Sequence, residues 1–225
     1  MNGFVWINCL ILHRMHRVIP IVFCILWSLN CFSQNRELTP IKDTLKFKAK
    51  LMSIAKQTNS IKCDFIQEKN MSMISEKITS KGRFWYKKDN KVRMEYSHPF
   101  QYLIILNQNR IYIKDQSKEN TISTNGNKLF KQISNIISDC VQGTILINPE
   151  FKTNLLESEN AYYIEMFPSS KGLKDFFKSI NITVDKINYT VSMVELIELS
   201  GDNTIISFLN RENNTVIPDA LFYIK

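Results

Sequence analysis

The sequence predicts an α+β fold, with helices covering one face of an antiparallel sheet, from three features. The first is the stretch Gly82 to Asp115, G-R-F-W-Y-K-K-D-N-K-V-R-M-E-Y-S-H-P-F-Q-Y-L-I-I-L-N-Q-N-R-I-Y-I-K-D. Its aromatic and β-branched runs are punctuated by Asp89-Asn90, His98-Pro99 and Asn107-Gln108-Asn109, as in an antiparallel meander. The second is a pair of segments with apolar residues at helical spacing. The third is their order, helix, strands, helix, strands, which places helices against one face of a sheet.

The chain opens on the pattern of an export signal. Met15-His16-Arg17 is a short basic head, Val18 to Leu29 an apolar run, and Cys31 and Ser33 are small residues three and one before a cut ahead of Gln34. The apolar core is shorter than the roughly 20 residues that span a bilayer. A start at Met15, a retained N-terminal anchor and acylation of Cys31 are alternative readings of the same residues. Residues 1–33 are thus expected to be a signal peptide and 34–225 a single domain with a core of its own.

Thr44 to Gln57 has apolar residues at 47, 51, 54 and 55, with Lys46, Lys48, Lys50 and Lys56 around them, and predicts an amphipathic helix. Ile61, Cys63 and Phe65 alternate with Lys62 and Asp64 as in a half-buried strand, and Lys77 to Lys87 leads into the meander. With Asp89-Asn90 as a hairpin tip, 87 opposes 92 and 85 opposes 94. Trp85, Val92, Met94 and Tyr96 then share one face, and Arg93 and Glu95 the other. Asn127 to Cys140 carries Leu129, Phe130, Ile133, Ile136 and Ile137 at helical spacing, with Gly143 as its stop. Phe151 to Leu156 and Tyr162 to Phe167 flank a hairpin turn at 157–160. Leu173 to Lys178 reads as one helical turn. Ile180 to Val184, Val191 to Leu199 and Thr204 to Asn210 read as strands separated by turns. No internal repeat or linker divides them.

Composition excludes several function classes. Removing Arg14 and Arg17 lowers the formal charge from +8 to +6, and this surplus is spread among acidic residues. No basic-aromatic motif repeats, so a nucleic-acid partner is not expected. Beyond the signal only His98 is available as a histidine, which leaves neither a Ser–His dyad nor a metal cluster to assemble. G-x-S-x-G, P-loop and G-x-G-x-x-G motifs are missing, so no catalytic residue, metal or cofactor is expected. Glu195 and Glu198, three apart on a strand, face opposite sides and make a poor glycosidase pair. Cys63 and Cys140 follow the signal without a C-x-x-C spacing; an oxidising compartment would permit a bridge, and two separate core thiols are the simpler reading.

What remains is apolar surface. Trp85, Met94, Tyr96, Phe65 and Phe130 could all be ordinary core. Against that, Tyr102 to Leu106 is apolar on both parities. A sheet of seven or more strands with only two modest helices would leave apolar area unfilled. An incompletely filled, open half-barrel has room for an acyl chain.

Three segments carry a family resemblance: C-D-F-I-Q (63–67), G-R-F-W-Y-K-K (82–88) leading into V-R-M-E-Y (92–96), and G-D-N-T-I-I-S-F-L-N (201–210), followed by Asn214, Ile217, Pro218 and Phe222. In order and spacing they resemble the LolA family of periplasmic lipoprotein carriers, in its Bacteroidetes-type form, over nearly all of residues 40–225. The resemblance implies an open antiparallel β-barrel with helices covering the concave face. It also implies a periplasmic, non-enzymatic chaperone with acylated lipoprotein as cargo. An inner-membrane lipoprotein-releasing ABC transporter would be the donor and an outer-membrane protein the acceptor, with the carrier most simply a monomer. Phe65, Trp85, Val92, Met94, Tyr96, Phe130, Ile133 and Met166 are the residues expected to line the acyl cavity, the methionines as an adaptable lining. The family's latch arginine falls on Lys88 and the proline after it on Asp89. Lysine keeps the charge but lacks the planar fork that bonds several acceptors at once. A carrier of another lipid or acylated precursor, and an RseB-like regulatory sensor of acylated or misfolded envelope proteins, are the alternatives.

Overall fold

Strand pairing dominates the computed structural model, which describes residues 38–74, 76–108, 110–115, 118–123 and 128–224, without the side chains of 128–130, 133 and 134. The expected signal peptide, residues 1–33, lies outside the described residues. Twelve strands form one antiparallel sheet: β1 (Thr39–Pro40), β2 (Ser60–Met71), β3 (Glu76–Lys87), β4 (Lys91–His98), β5 (Tyr102–Asn107), β6 (Arg110–Lys114), β7 (Glu119–Ser123), β8 (Phe151–Glu157), β9 (Ala161–Pro168), β10 (Phe177–Asp185), β11 (Val191–Glu198) and β12 (Asn203–Asn213). The order across the sheet is β1-β8-β9-β10-β11-β12-β2-β3-β4-β5-β6-β7. Two meanders, β2 to β7 and β8 to β12, are therefore stitched together where β12 pairs with β2. The barrel does not close, and its margins are the dipeptide β1 and the mostly exposed, polar β7.

Helix α1 (Thr44–Gln57) begins at Asp43, whose carboxylate accepts the Lys46 amide at 2.9 Å, satisfying one orphan N–H of the first turn. Helix α2 (Lys128–Gln142) ends at Gly143, which has φ 71°. A Cβ there would lie 2.9 Å from Ala55 Cβ, so glycine serves both the left-handed turn and the close approach of α1. The third helix, α3, is the single turn Lys171–Lys174. This corrects the sequence expectation of a turn over 173–178. Phe177 and Lys178 already belong to β10, held by pairing with β11 through Phe177–Glu198, and a bulge between Phe177 and Ser179 shifts the alternation so that Phe177, not Lys178, shares the concave side with Ile180.

The β3–β4 hairpin also differs from expectation by one residue. Lys87 pairs with Lys91, Tyr86 with Val92, Trp85 with Arg93 and Phe84 with Met94. Three residues, 88–90, stay outside the ladder, with Asp89 and Asn90 both at positive φ (70° and 58°). A single-residue slip sends every side chain to the other face. Phe84, not Trp85, therefore stands beside Met94, and Trp85 lies on the convex side with Arg93, whose guanidinium sits 5.8 Å from the indole centroid.

That convex side has a cover of its own. The 3-10 turn Asp219–Phe222 packs Phe222 and Ile217 against Trp85, Ile105 and Tyr112. Arg93 donates to the Leu221 carbonyl at 3.1 Å and Asn107 to that of Phe222 at 3.0 Å, while Lys91 pairs with Asp219 at 2.8 Å. Here is the reason β5 is apolar on both parities: Leu103 and Ile105 face this strap, and Ile104 and Leu106 face the concave side. On the concave side, β8 to β10 are plugged by a cluster built on Ile164, Met166, Leu173, Ile180, Ile182 and Val184, which α1 joins through Phe47 and Leu51.

Candidate functional site

Between the plugged half and α2, the concave face encloses a hollow of about 530 Å³, within the roughly 300–1,000 Å³ typical of small-molecule sites. Its walls follow from strand alternation. Val92, Met94 and Tyr96 of β4, Tyr102, Ile104 and Leu106 of β5, and Ile206 and Phe208 of β12 point inward at every second residue. The roof follows from helical spacing: α1 contributes Leu51, Ile54 and Ala55, its C-cap Thr58 joins them, and α2 contributes Ile136, Ile137, Cys140 and Val141. The lining is overwhelmingly hydrocarbon, with hydroxyls from Thr58, Tyr96, Tyr102, Tyr189 and Thr190. Tyr96 spends its own by donating to Gln67 Oε1 at 2.9 Å.

The residues singled out in the sequence distribute unevenly. Val92, Met94 and Tyr96 face the hollow. Phe65 lies in the same cluster but behind the wall, 1% exposed, with the Tyr96 ring edge-on at 4.9 Å. Its room comes from Gly82, where a Cβ would fall 2.1 Å from the Glu95 carbonyl oxygen and 2.8 Å from Phe65 Cζ. Met166 is fully buried in the plug, opposite Ile180, and does not reach the hollow. Trp85 is on the opposite face, as described above. The side chains of Phe130 and Ile133 lie outside the described residues.

Lys88, the expected latch, is exposed and donates to Asn59 Oδ1 at 3.3 Å, on the connection between α1 and β2. The contact from this hairpin to the roof is made two residues on. Asn90 Oδ1 accepts from Ser138 Oγ at 2.7 Å and from Gln142 Nε2 at 3.1 Å, both on α2. These exposed bonds each contribute about 0.5–1.5 kcal/mol. Replacing both helix donors, Ser138→Ala with Gln142→Ala, is expected to speed dissociation of a bound acyl probe about five- to a hundredfold, at 1.4 kcal/mol per tenfold. Stopped-flow dilution reads this directly, and an unchanged rate would mean that α2 does not gate the hollow.

Cys63 and Cys140 are both free thiols and both face the hollow, one from the sheet and one from the roof. Burial pushes each thiol up to about 12; Asp139 adds to the effect at Cys140, whereas Arg211 opposes it at Cys63. Burial likewise raises the Tyr96 phenol to about 12. All three groups hold their protons more tightly folded than unfolded. Their contribution to stability is complete below about pH 9 and lost as pH rises toward 12. The denaturant midpoint is therefore expected to fall between about pH 9 and pH 11, and both thiols to resist a disulfide reagent at about pH 8 until the chain is unfolded.

One wall residue went unread in the sequence. Arg211, on β12, is the single charged residue among those described around the hollow. The expected strand stopped at Asn210. The available signal was the alternation Ile206, Phe208, which a regular strand would continue to Asn210 and not to Arg211.

Comparison with known proteins adds the following. The family model described as outer membrane lipoprotein carrier protein LolA matches residues 56–225. No curated protein matches the chain. Among solved structures, a LolA-superfamily protein from Nitrosomonas europaea is 10% identical, with 80% of this chain and 96% of that chain covered and a TM-score of 0.43. The Pseudomonas aeruginosa MucA/MucB complex gives 12% identity, coverage of 80% and 60%, and a TM-score of 0.44. The Mycobacterium tuberculosis lipoprotein LppX gives 10%, coverage of 78% and 99%, and 0.39.

Proposed function

The chain belongs to the LolA family of outer membrane lipoprotein carrier proteins, and from that premise we propose that it is a periplasmic carrier of acyl chains. In this reading the lipid part of a lipoprotein, released from the inner membrane by an ABC transporter, enters the hollow under α2. It crosses the periplasm shielded from water and passes to an outer-membrane acceptor. No bond is made or broken and no cofactor takes part.

The observation that carries the proposal is the hollow itself, about 530 Å³ walled by inward apolar side chains from two meanders and two helices. Energetics set its working range. At about 0.8 kcal/mol per buried CH₂, one fully buried chain of roughly 16 carbons gains about 13 kcal/mol. Two such chains would exceed the practical ceiling near 18–21 kcal/mol for non-covalent binding, and would not be released. Delivery therefore requires partial exposure of the cargo or a roof that yields. The few polar bonds joining α2 to the Asn90 hairpin support the second route.

A second reading, a carrier of a different acyl lipid, is favoured by the charge on the wall at Arg211. Mass spectrometry of the protein purified from its native envelope separates the two. A co-purifying acylated protein supports the lipoprotein carrier, and an extractable free lipid supports the other. Recovery of neither, together with failure to take up added lipid, would overturn the acyl-binding reading.

A further inference from the structure

Arg211 reaches the hollow because β12 carries one residue too many. The ladder with β2 runs from Leu209–Asp64 directly to Glu212–Lys62, so three steps on β12 match two on β2. Asn210 absorbs the extra residue at φ 53°, and its amide is tied to Asp64 Oδ2 at 2.8 Å. A bulge of this kind re-aims the next side chain. Past it, Glu212 sits outward, pairing with Lys62 at 2.9 Å, and Arg211 turns inward beside the Cys63 wall.

The guanidinium arrives there without an anion. Its Nε donates to Asn213 Oδ1 at 2.8 Å, and among the described residues no carboxylate lies within ion-pairing distance of it. Burial already lowers its affinity for the proton, the expected response of a cation partly withdrawn from water. A cation on a hydrocarbon wall is unfavourable unless something compensates it. A planar fork with free terminal N–H groups matches a carboxylate or a phosphate. The wall adjoining it, where the Phe84 and Phe208 rings meet at 5.6 Å, suits a hydrocarbon tail.

We propose that Arg211 is a head-group site, so that the hollow prefers an amphiphile with a carboxylate or phosphate at the root of its acyl chain over a neutral acyl ligand. The inference rests on the acyl-binding reading above and, within it, favours the carrier of a different acyl lipid, one with an anionic head.

The test is displacement of the neutral probe N-phenyl-1-naphthylamine from the full chain at about pH 8. Palmitate is compared with hexadecanol, and a lysophosphatidic acid with the matching monoacylglycerol. The wild type should bind at least one anion about ten- to a hundredfold more tightly than its neutral counterpart, in keeping with charge-assisted bonds. The pair showing the larger ratio identifies the head, carboxylate or phosphate. Arg211→Gln should bring that ratio close to one, and Arg211→Lys should retain part of it. A melting temperature no lower than that of the wild type in both variants ties the loss to the charge. Equal binding of anionic and neutral ligands by the wild type, or a preference surviving in Arg211→Gln, overturns the head-group site and leaves acyl binding standing. If no ligand displaces the probe, acyl binding fails, and this inference with it.

Discussion

Met94→Glu is expected to abolish binding of acyl probes, weakening it at least about a hundredfold at pH 8. Met94 is half-buried on β4, flanked across the ladder by Phe84 and Ile104, and all three face the hollow. A bound chain would strip water from a carboxylate placed there, and an unpaired charge in such surroundings costs several kcal/mol. Working above neutral pH limits the escape by which the acid takes up a proton instead. Because Met94 borders empty space, the variant should fold, with a near-wild-type far-ultraviolet spectrum. Met94→Leu, close in volume, should bind within a few-fold of wild type. Titration with a fluorescent fatty acid decides the matter: wild-type affinity in Met94→Glu would put the ligand elsewhere.

Phe222→Ala should cost stability and leave binding alone. Phe222 has no exposed surface and anchors the strap on the convex face, among Trp85, Ile105, Tyr112 and Ile217. Truncating a buried phenylalanine typically costs about 3–5 kcal/mol. For a chain of this size each kcal/mol moves the melting temperature about 2–4 °C, so a drop of about 6–20 °C is expected. The strap's bonds from Arg93 and Asn107 would weaken with it. The sheet separates this cluster from the hollow, so acyl affinity measured well below the new melting temperature should not change. A shift of less than about 3 °C would show that the strap packs loosely and contributes little.

The sequence carried the elements further than it carried their faces. Helix α1 runs over the expected Thr44–Gln57, and each strand that alternation placed is present, because period and capping are local; β1 and β7 carry no such pattern and went unread. Faces depend on single-residue offsets set by backbone conformation. Two positive-φ residues in the 88–90 turn moved Trp85 from the expected cavity to the convex core. A bulge at Asn210 brought Arg211 to the wall unannounced. Met166 has the right parity for the concave face, yet it is part of the plug, and which half of a wide sheet is filled depends on tertiary packing. The Asn90 contact with α2 joins positions 48 and 52 residues apart, a separation that no local pattern reports.

The margins of the sheet have a consequence for life as a shuttle. An unclosed barrel leaves two rows of backbone donors and acceptors on which a neighbouring molecule could add a strand. At one margin the dipeptide β1, which includes a proline that cannot donate, caps the Leu156–Glu157 end of β8. The other, E-N-T-I-S, is almost wholly hydrophilic and solvated. Such borders make poor templates for fibril growth, so the molecule can keep its interior accessible without inviting its copies to polymerise.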